Sequence, residues 1–170
     1  MRWEPFMFIL LLTTISCLVI LVATRNAKQR GWQLLGLAYL FGLSVILFTP
    51  LSVDGHSLYV MPAGFGQVNL TRLYFHGVGF LENILLTIPL GWGLKRRFQR
   101  RSLISIGMTG LLISAGIESL QYFMSQHWLI NRSSDINDVV ANTLGILIGA
   151  VIAMIVHAVS LRKGRLATNQ

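Results

Sequence analysis

Five stretches of the chain, residues 5–23, 32–49, 75–94, 103–123 and 139–159, are apolar over nearly the length a helix needs to cross a lipid core, with at most one charge in each. About 20 residues of helix span that core. Backbone groups in hydrocarbon must be satisfied within the segment, so each stretch reads as a transmembrane helix. Composition agrees: 54% of residues are hydrophobic, 12% are charged and the mean hydropathy is +0.64, whereas a soluble domain has about a quarter of its residues charged. The expectation is an all-α, multi-pass integral membrane protein of one domain over residues 1–170, in the plasma (inner) membrane.

The net charge of +8 is a topology signal rather than a nucleic-acid footprint. Arg25, Lys28 and Arg30 follow the first stretch, Lys95, Arg96, Arg97, Arg100 and Arg101 the third, and Arg162, Lys163 and Arg165 the fifth. The opposite connections hold only Arg2, Arg72 and Arg132. Cytoplasmic loops are the Lys/Arg-rich ones, which places the N-terminus outside and the C-terminus inside. Trp3, Phe6, Tyr74, Phe75, Tyr122 and Trp128 then fall near the outer interface, and Trp32 and Trp92 near the inner one.

Glu4 in the leading segment, and the lack of a clean small-x-small site after the first stretch, favour a retained helix over a cleaved signal. Cys17 stands alone, so no intramolecular disulfide or thiolate metal site is expected, and the residue reads as packing. Residues 50–74 form the one long outer connection, with Pro50, Gly55, Pro62, Gly64 and Gly66 as turn formers among apolar residues. It reads as a cover over the helices or as a lid.

Polar residues recur at one depth. Glu82 and Asn83 lie in the first turns of the third stretch, Glu118 and Gln121 near the outer end of the fourth, and Asp135, Asp138 and Asn142 where the fifth begins. Arg132, Arg72 and His76 lie at the same level. Ionisable groups within transmembrane segments are costly and mark sites by default. An outward-facing polar pocket on the third, fourth and fifth spans is the expectation.

Helical spacing extends these rows. At about 100° per residue, Asp135, Asp138, Asn142, Gly145 and Gly149 fall within an arc of about 80°. Gly107, Gly110, Ser114, Glu118 and Gln121 form a comparably narrow stripe on the fourth stretch. Small residues let helices approach closely, so the fourth and fifth spans are expected to pack along these stripes.

The run Asn83-Ile-Leu-Leu-Thr-Ile-Pro89-Leu-Gly91, then Glu118-Ser-Leu-Gln121, then Arg132-Ser-Ser-Asp135-Ile-Asn-Asp138 leading into Asn142-Thr-Leu-Gly145, resembles the successive motifs of the VanZ-like membrane proteins. Val68-Asn69-Leu70 is similar to the segment that precedes the third span in that family. The resemblance covers about Val68 to Gly149 and departs at Thr71-Arg72 and at Thr87. It implies a link to low-level resistance to the glycopeptide teicoplanin, and no particular reaction.

Three uses of the polar residues compete. In a binding site, Arg132, Arg72 and His76 meet phosphate or carboxylate while Asn83, Gln121 and Asn142 hydrogen-bond sugar or amide groups of a lipid-linked cell-wall precursor or a glycopeptide. In a membrane-embedded enzyme acting on a lipid-linked phosphate or sugar, Glu118, Asp135, Asp138 and Glu82 serve as acid and base or hold a hard cation. No nucleophile motif supports the enzyme, and His56, His76, His127 and His157 show no paired ligand spacing. In a structural network the same groups join helices to one another. The Pro89-Leu90-Gly91 break reads as a kink, and the inner halves of the spans lack the polar groups that transport needs.

Overall fold

The computed structural model describes residues 2–53 and 57–168, with side chains to residue 162. Gly55 and His56 lie outside the described residues, as do the side chains of Lys163 and Arg165. Among the described residues the chain forms five helices: α1 (Glu4–Ala23), α2 (Ala27–Phe48), α3 (Val78–Arg97), α4 (Leu103–Trp128) and α5 (Ile136–Thr168). Four short strands accompany them: β1 (Leu51–Val53), β2 (Leu58–Val60), β3 (Val68–Asn69) and β4 (Ser134–Asp135). The all-α expectation holds.

Local chemistry sets the helix ends. Pro5 opens α1, where a missing N–H costs nothing. Asn26 caps α2, its side chain accepting the Gln29 N–H at 3.0 Å. Gly77, with φ of 107°, turns the chain into α3 through a conformation open to glycine. Lys95, Arg96 and Arg97 occupy the last turn of α3, where cations meet the negative end of the helix dipole.

By length and apolarity α1, α2, α4 and residues Ile136–Arg162 of α5 qualify as membrane spans. α3 is 20 residues long, but Glu82, Asn83 and the cationic last turn dilute its apolar character.

The chain divides into two compact units, Met1–Val68 with Ser119–Ser134, and Asn69–Glu118 with Asp135–Gln170. In the first unit α1 packs against α2, and β1 pairs antiparallel with β2, Ser52 opposite Tyr59. The connection after β2 is pinned to the segment that leaves α4. Gly64 N donates to Leu129 O at 3.3 Å, Asn131 N to Gly64 O at 3.0 Å and Ser134 N to Gln67 O at 2.8 Å. Gly66 has φ of 70°, and a Cβ there would lie 1.9 Å from Arg132 O; only glycine fits that approach.

The second unit is built on α3 against α5. A Cβ on Gly145 would lie 2.3 Å from Ile84 O, one on Gly149 2.0 Å from Ile88 O, and one on Gly91 2.0 Å from Ile146 O. Backbone therefore meets backbone along this seam. This corrects the expected use of the α5 glycine row, which serves α3 instead of α4. The small stripe of α4 does face α5, but through side chains: Gly110 and Gly107 receive Ile146 and Leu147. Glycines at 145 and 149 suit the closer pair because a carbonyl already occupies the space a methyl would need. Ile106, Ile146 and Ala150 form the buried core there, with Leu90, Leu94 and Leu103 packed on it.

Candidate functional site

The polar residues of the second unit fall into two sets, one around Asp135 and one around Asp138. Asp135 sits in β4, one residue before α5. Its Oδ1 accepts hydrogen bonds from Asn69 Nδ2 at 2.9 Å, Asn137 Nδ2 at 2.6 Å and Asn137 N at 2.8 Å. Its Oδ2 accepts from Tyr74 Oη at 2.5 Å, and its backbone N–H donates to Glu118 Oε2 at 2.8 Å.

Four donors on one carboxylate leave it little capacity for anything else. Burial alone pushes the Asp135 carboxyl up, but the hydrogen bonds from Tyr74, Asn137 and Asn69 outweigh it and hold the group below the usual aspartate range. The same contact acts on the other partner. Donation to Asp135, with some burial and the charges of Asp135 and Asp138, raises the Tyr74 phenol above its ordinary value.

Asn137 is the hub of this set. Only 1% exposed, it accepts the Tyr74 N–H at 2.7 Å and donates to Arg72 O at 2.9 Å. Asn69 closes the loop on itself, accepting Arg72 N at 2.9 Å and donating to Arg72 O at 2.8 Å. The segment entering α3 is thus fastened to the start of α5 by two amides and a carboxylate.

Asp138 lies in the first turn of α5 and is half-buried. The side chain of Asn83, on α3, hydrogen-bonds its carboxylate. One turn further into α5, Asn142 is 2% exposed, and its backbone carbonyl accepts from Thr87 Oγ1 at 3.0 Å. Glu118 is 6% exposed. Glu82, adjacent to Asn83 in sequence and so about 100° around α3 from it, is half-buried. Arg72 and His76 are exposed, with the His76 ring edge-on to Tyr74 at 5.8 Å between centroids. The second unit therefore holds Glu82, Asn83, Glu118, Asp135, Asp138, Asn142, Arg72 and His76.

Gln121 and Arg132 belong to the first unit, each engaged with main-chain carbonyls. Gln121 Nε2 donates to Leu47 O at 3.0 Å. The Arg132 guanidinium donates to Thr49 O at 3.1 Å and to Leu51 O, while its backbone exchanges hydrogen bonds with Ser125 Oγ. Burial draws Arg132 below the ordinary arginine value, partly countered by Tyr59. These two side chains satisfy carbonyls where α2 ends, groups that no helix bond reaches.

Among the described residues no three His, Cys, Asp or Glu side chains are grouped so as to hold a metal ion. The Asp135 carboxylate is surrounded by donors, which is the reverse of a cation's coordination shell.

Asn137, Asn69 and Tyr74 are central here, although spacing does not single them out. Asn137 follows Asp135 by two residues and falls off the Asp135–Asp138–Asn142 arc. Asn69 stands out in the sequence only as part of the Val68-Asn69-Leu70 segment, which assigns it no role. Thr87 could be read only as a departure from a family pattern, yet it is 1% exposed and bridges α3 to α5.

The family described as VanZ/LLP1 matches residues 6–157. No curated protein and no solved structure matches the chain.

Proposed function

Because this chain belongs to the VanZ/LLP1 family, we propose that it is a five-span protein of the plasma membrane. Its outer-end polar groups recognise a cell-envelope lipid headgroup or a glycopeptide. The N-terminus lies outside, as the distribution of Lys and Arg argues, and α3 crosses with the four more apolar helices.

The observation that carries this reading is the contrast between two aspartates three residues apart. Asp135 is spent on four donors that fix the local fold. Asp138 sits half-buried at the head of an apolar helix with a neutral amide, Asn83, as its hydrogen-bond partner. An anion held in apolar surroundings by an amide keeps capacity for a ligand's cation or hydroxyls. The exposed Arg72 supplies a planar donor fork for phosphate or carboxylate.

A structural role is favoured for Gln121, Arg132 and Asp135, whose partners are all within the fold. A role in glycopeptide tolerance rests on the family and on the outer position of the cluster. The test is cellular: Asp138→Asn, expressed at the wild-type level, loses teicoplanin tolerance if the cluster recognises its ligand. Full tolerance in that variant contradicts the proposal.

A further inference from the structure

The turn between α3 and α4 presents Arg96, Arg97, Arg100 and Arg101, all exposed, around a cleft of about 680 Å³ that Phe98 and Gln99 complete. Between Asn83 and Ile117 the sequence has no Asp or Glu, so this charge has no acidic partner nearby in the chain. The turn is preorganised from within: Lys95, 9% exposed, points its ammonium at Gln99 O, 3.1 Å away, and at Arg101 O. A buried cation thus neutralises the carbonyls of the turn and leaves four guanidinium groups facing outward.

Aromatic rings flank the cleft. Arg96 lies over the Trp92 ring at 5.6 Å and Arg97 over the Phe98 ring at 5.4 Å, and Phe98 is 46% exposed. Aromatic residues at the end of a membrane helix mark the headgroup level, and guanidinium groups match phosphate oxygens in pairs.

From these observations we infer that the α3–α4 turn is a binding site for anionic glycerophospholipid, the lipid phosphate seated among Arg96, Arg97, Arg100 and Arg101, with Phe98 among the acyl chains. This site is separate from the proposed outer cluster and independent of its ligand. Basic residues at a membrane surface attract anionic lipid strongly enough that each arginine neutralised lowers affinity about fivefold.

Full-length protein in neutral detergent is titrated with phosphatidylglycerol, phosphatidylcholine or inorganic phosphate, and retained lipid is measured by native mass spectrometry. The inference predicts preferential retention of phosphatidylglycerol, weakened by added salt. It further predicts about twenty-five-fold weaker retention in Arg100→Gln/Arg101→Gln and partial recovery in Arg100→Lys/Arg101→Lys, which restores the charge without the paired donors. Equal retention of the two lipids by the wild type overturns it without recourse to variants. Inorganic phosphate that competes as well as the lipid overturns the lipid assignment, and undiminished retention in the Gln variant overturns the assignment to this turn.

Discussion

Tyr74 Oη donates a 2.5 Å hydrogen bond to Asp135 Oδ2, joining the segment that enters α3 to the residue that begins α5. The bond needs a protonated phenol and is strongest to an ionised carboxylate. Each partner's titration is displaced in the direction that preserves it.

That pair predicts a pH profile. Asp135 titrates lower in the folded chain than in the unfolded one, so its contribution is present above the ordinary aspartate pKa, about 3.9, and is lost as pH falls through the folded value. Tyr74 titrates higher in the folded chain. Its contribution is present below the ordinary tyrosine pKa, about 10, and is lost as pH rises through the folded value. Thermal unfolding of wild type against Tyr74→Phe should show a difference constant between those limits and vanishing beyond each. A difference that peaks at one neutral pH contradicts the assignment.

Asn137→Ala should destabilise more than Tyr74→Phe. It leaves the Tyr74 N–H without its partner, takes one of two donors from the Arg72 carbonyl and one from the Asp135 carboxylate, and empties a position that is 1% exposed, a loss of about 1–3 kcal/mol. Tyr74 is 43% exposed, and water replaces its hydroxyl at about 1 kcal/mol or less. Chemical denaturation in a fixed detergent ranks the two; the reverse order would show that Asn137 is not the hub.

Close approach of α3 and α5 makes Gly149→Ala severe, because the new methyl would meet the Ile88 carbonyl at 2.0 Å. Main chain must shift, at about 3 kcal/mol or more. Gly93→Ala is the control on α3, the other helix of the seam: nothing lies within 4 Å of its Cβ position, and alanine gains up to about 1 kcal/mol of helix propensity. Folded yield and melting temperature should diverge between them.

Arg132→Lys should destabilise by about 1–3 kcal/mol despite keeping the charge. One ammonium cannot reproduce the planar guanidinium that reaches both Thr49 O and Leu51 O. A Lys variant with wild-type stability would show that these carbonyls do not depend on the guanidinium.

The helices were legible because the bilayer imposes a length and an apolar character that survive in the sequence. Asp135, Asp138 and Asn83 were legible because charge and amide groups stand out against such a background. Asn137 and Asn69 were not, because their importance comes from hydrogen bonds across more than sixty positions of chain, which no local period encodes. The glycine row of α5 was visible as a close-packing face, but helical spacing names a face without naming the neighbour. Arg132 and Gln121 shared the depth of the cluster, and depth alone does not reveal that backbone carbonyls at the end of α2 engage them.

The central claim is that Asp138 serves a ligand while Asp135 serves the fold. It is tested most directly by thermal unfolding of purified wild type, Asp138→Asn and Asp135→Asn, each with and without an undecaprenyl-linked cell-wall precursor or teicoplanin. The account predicts that Asp138→Asn melts near the wild type and loses the ligand-induced rise, while Asp135→Asn melts lower without ligand. A wild type that neither compound stabilises, with Asp138→Asn as unstable as Asp135→Asn, would contradict it and assign both aspartates to the fold.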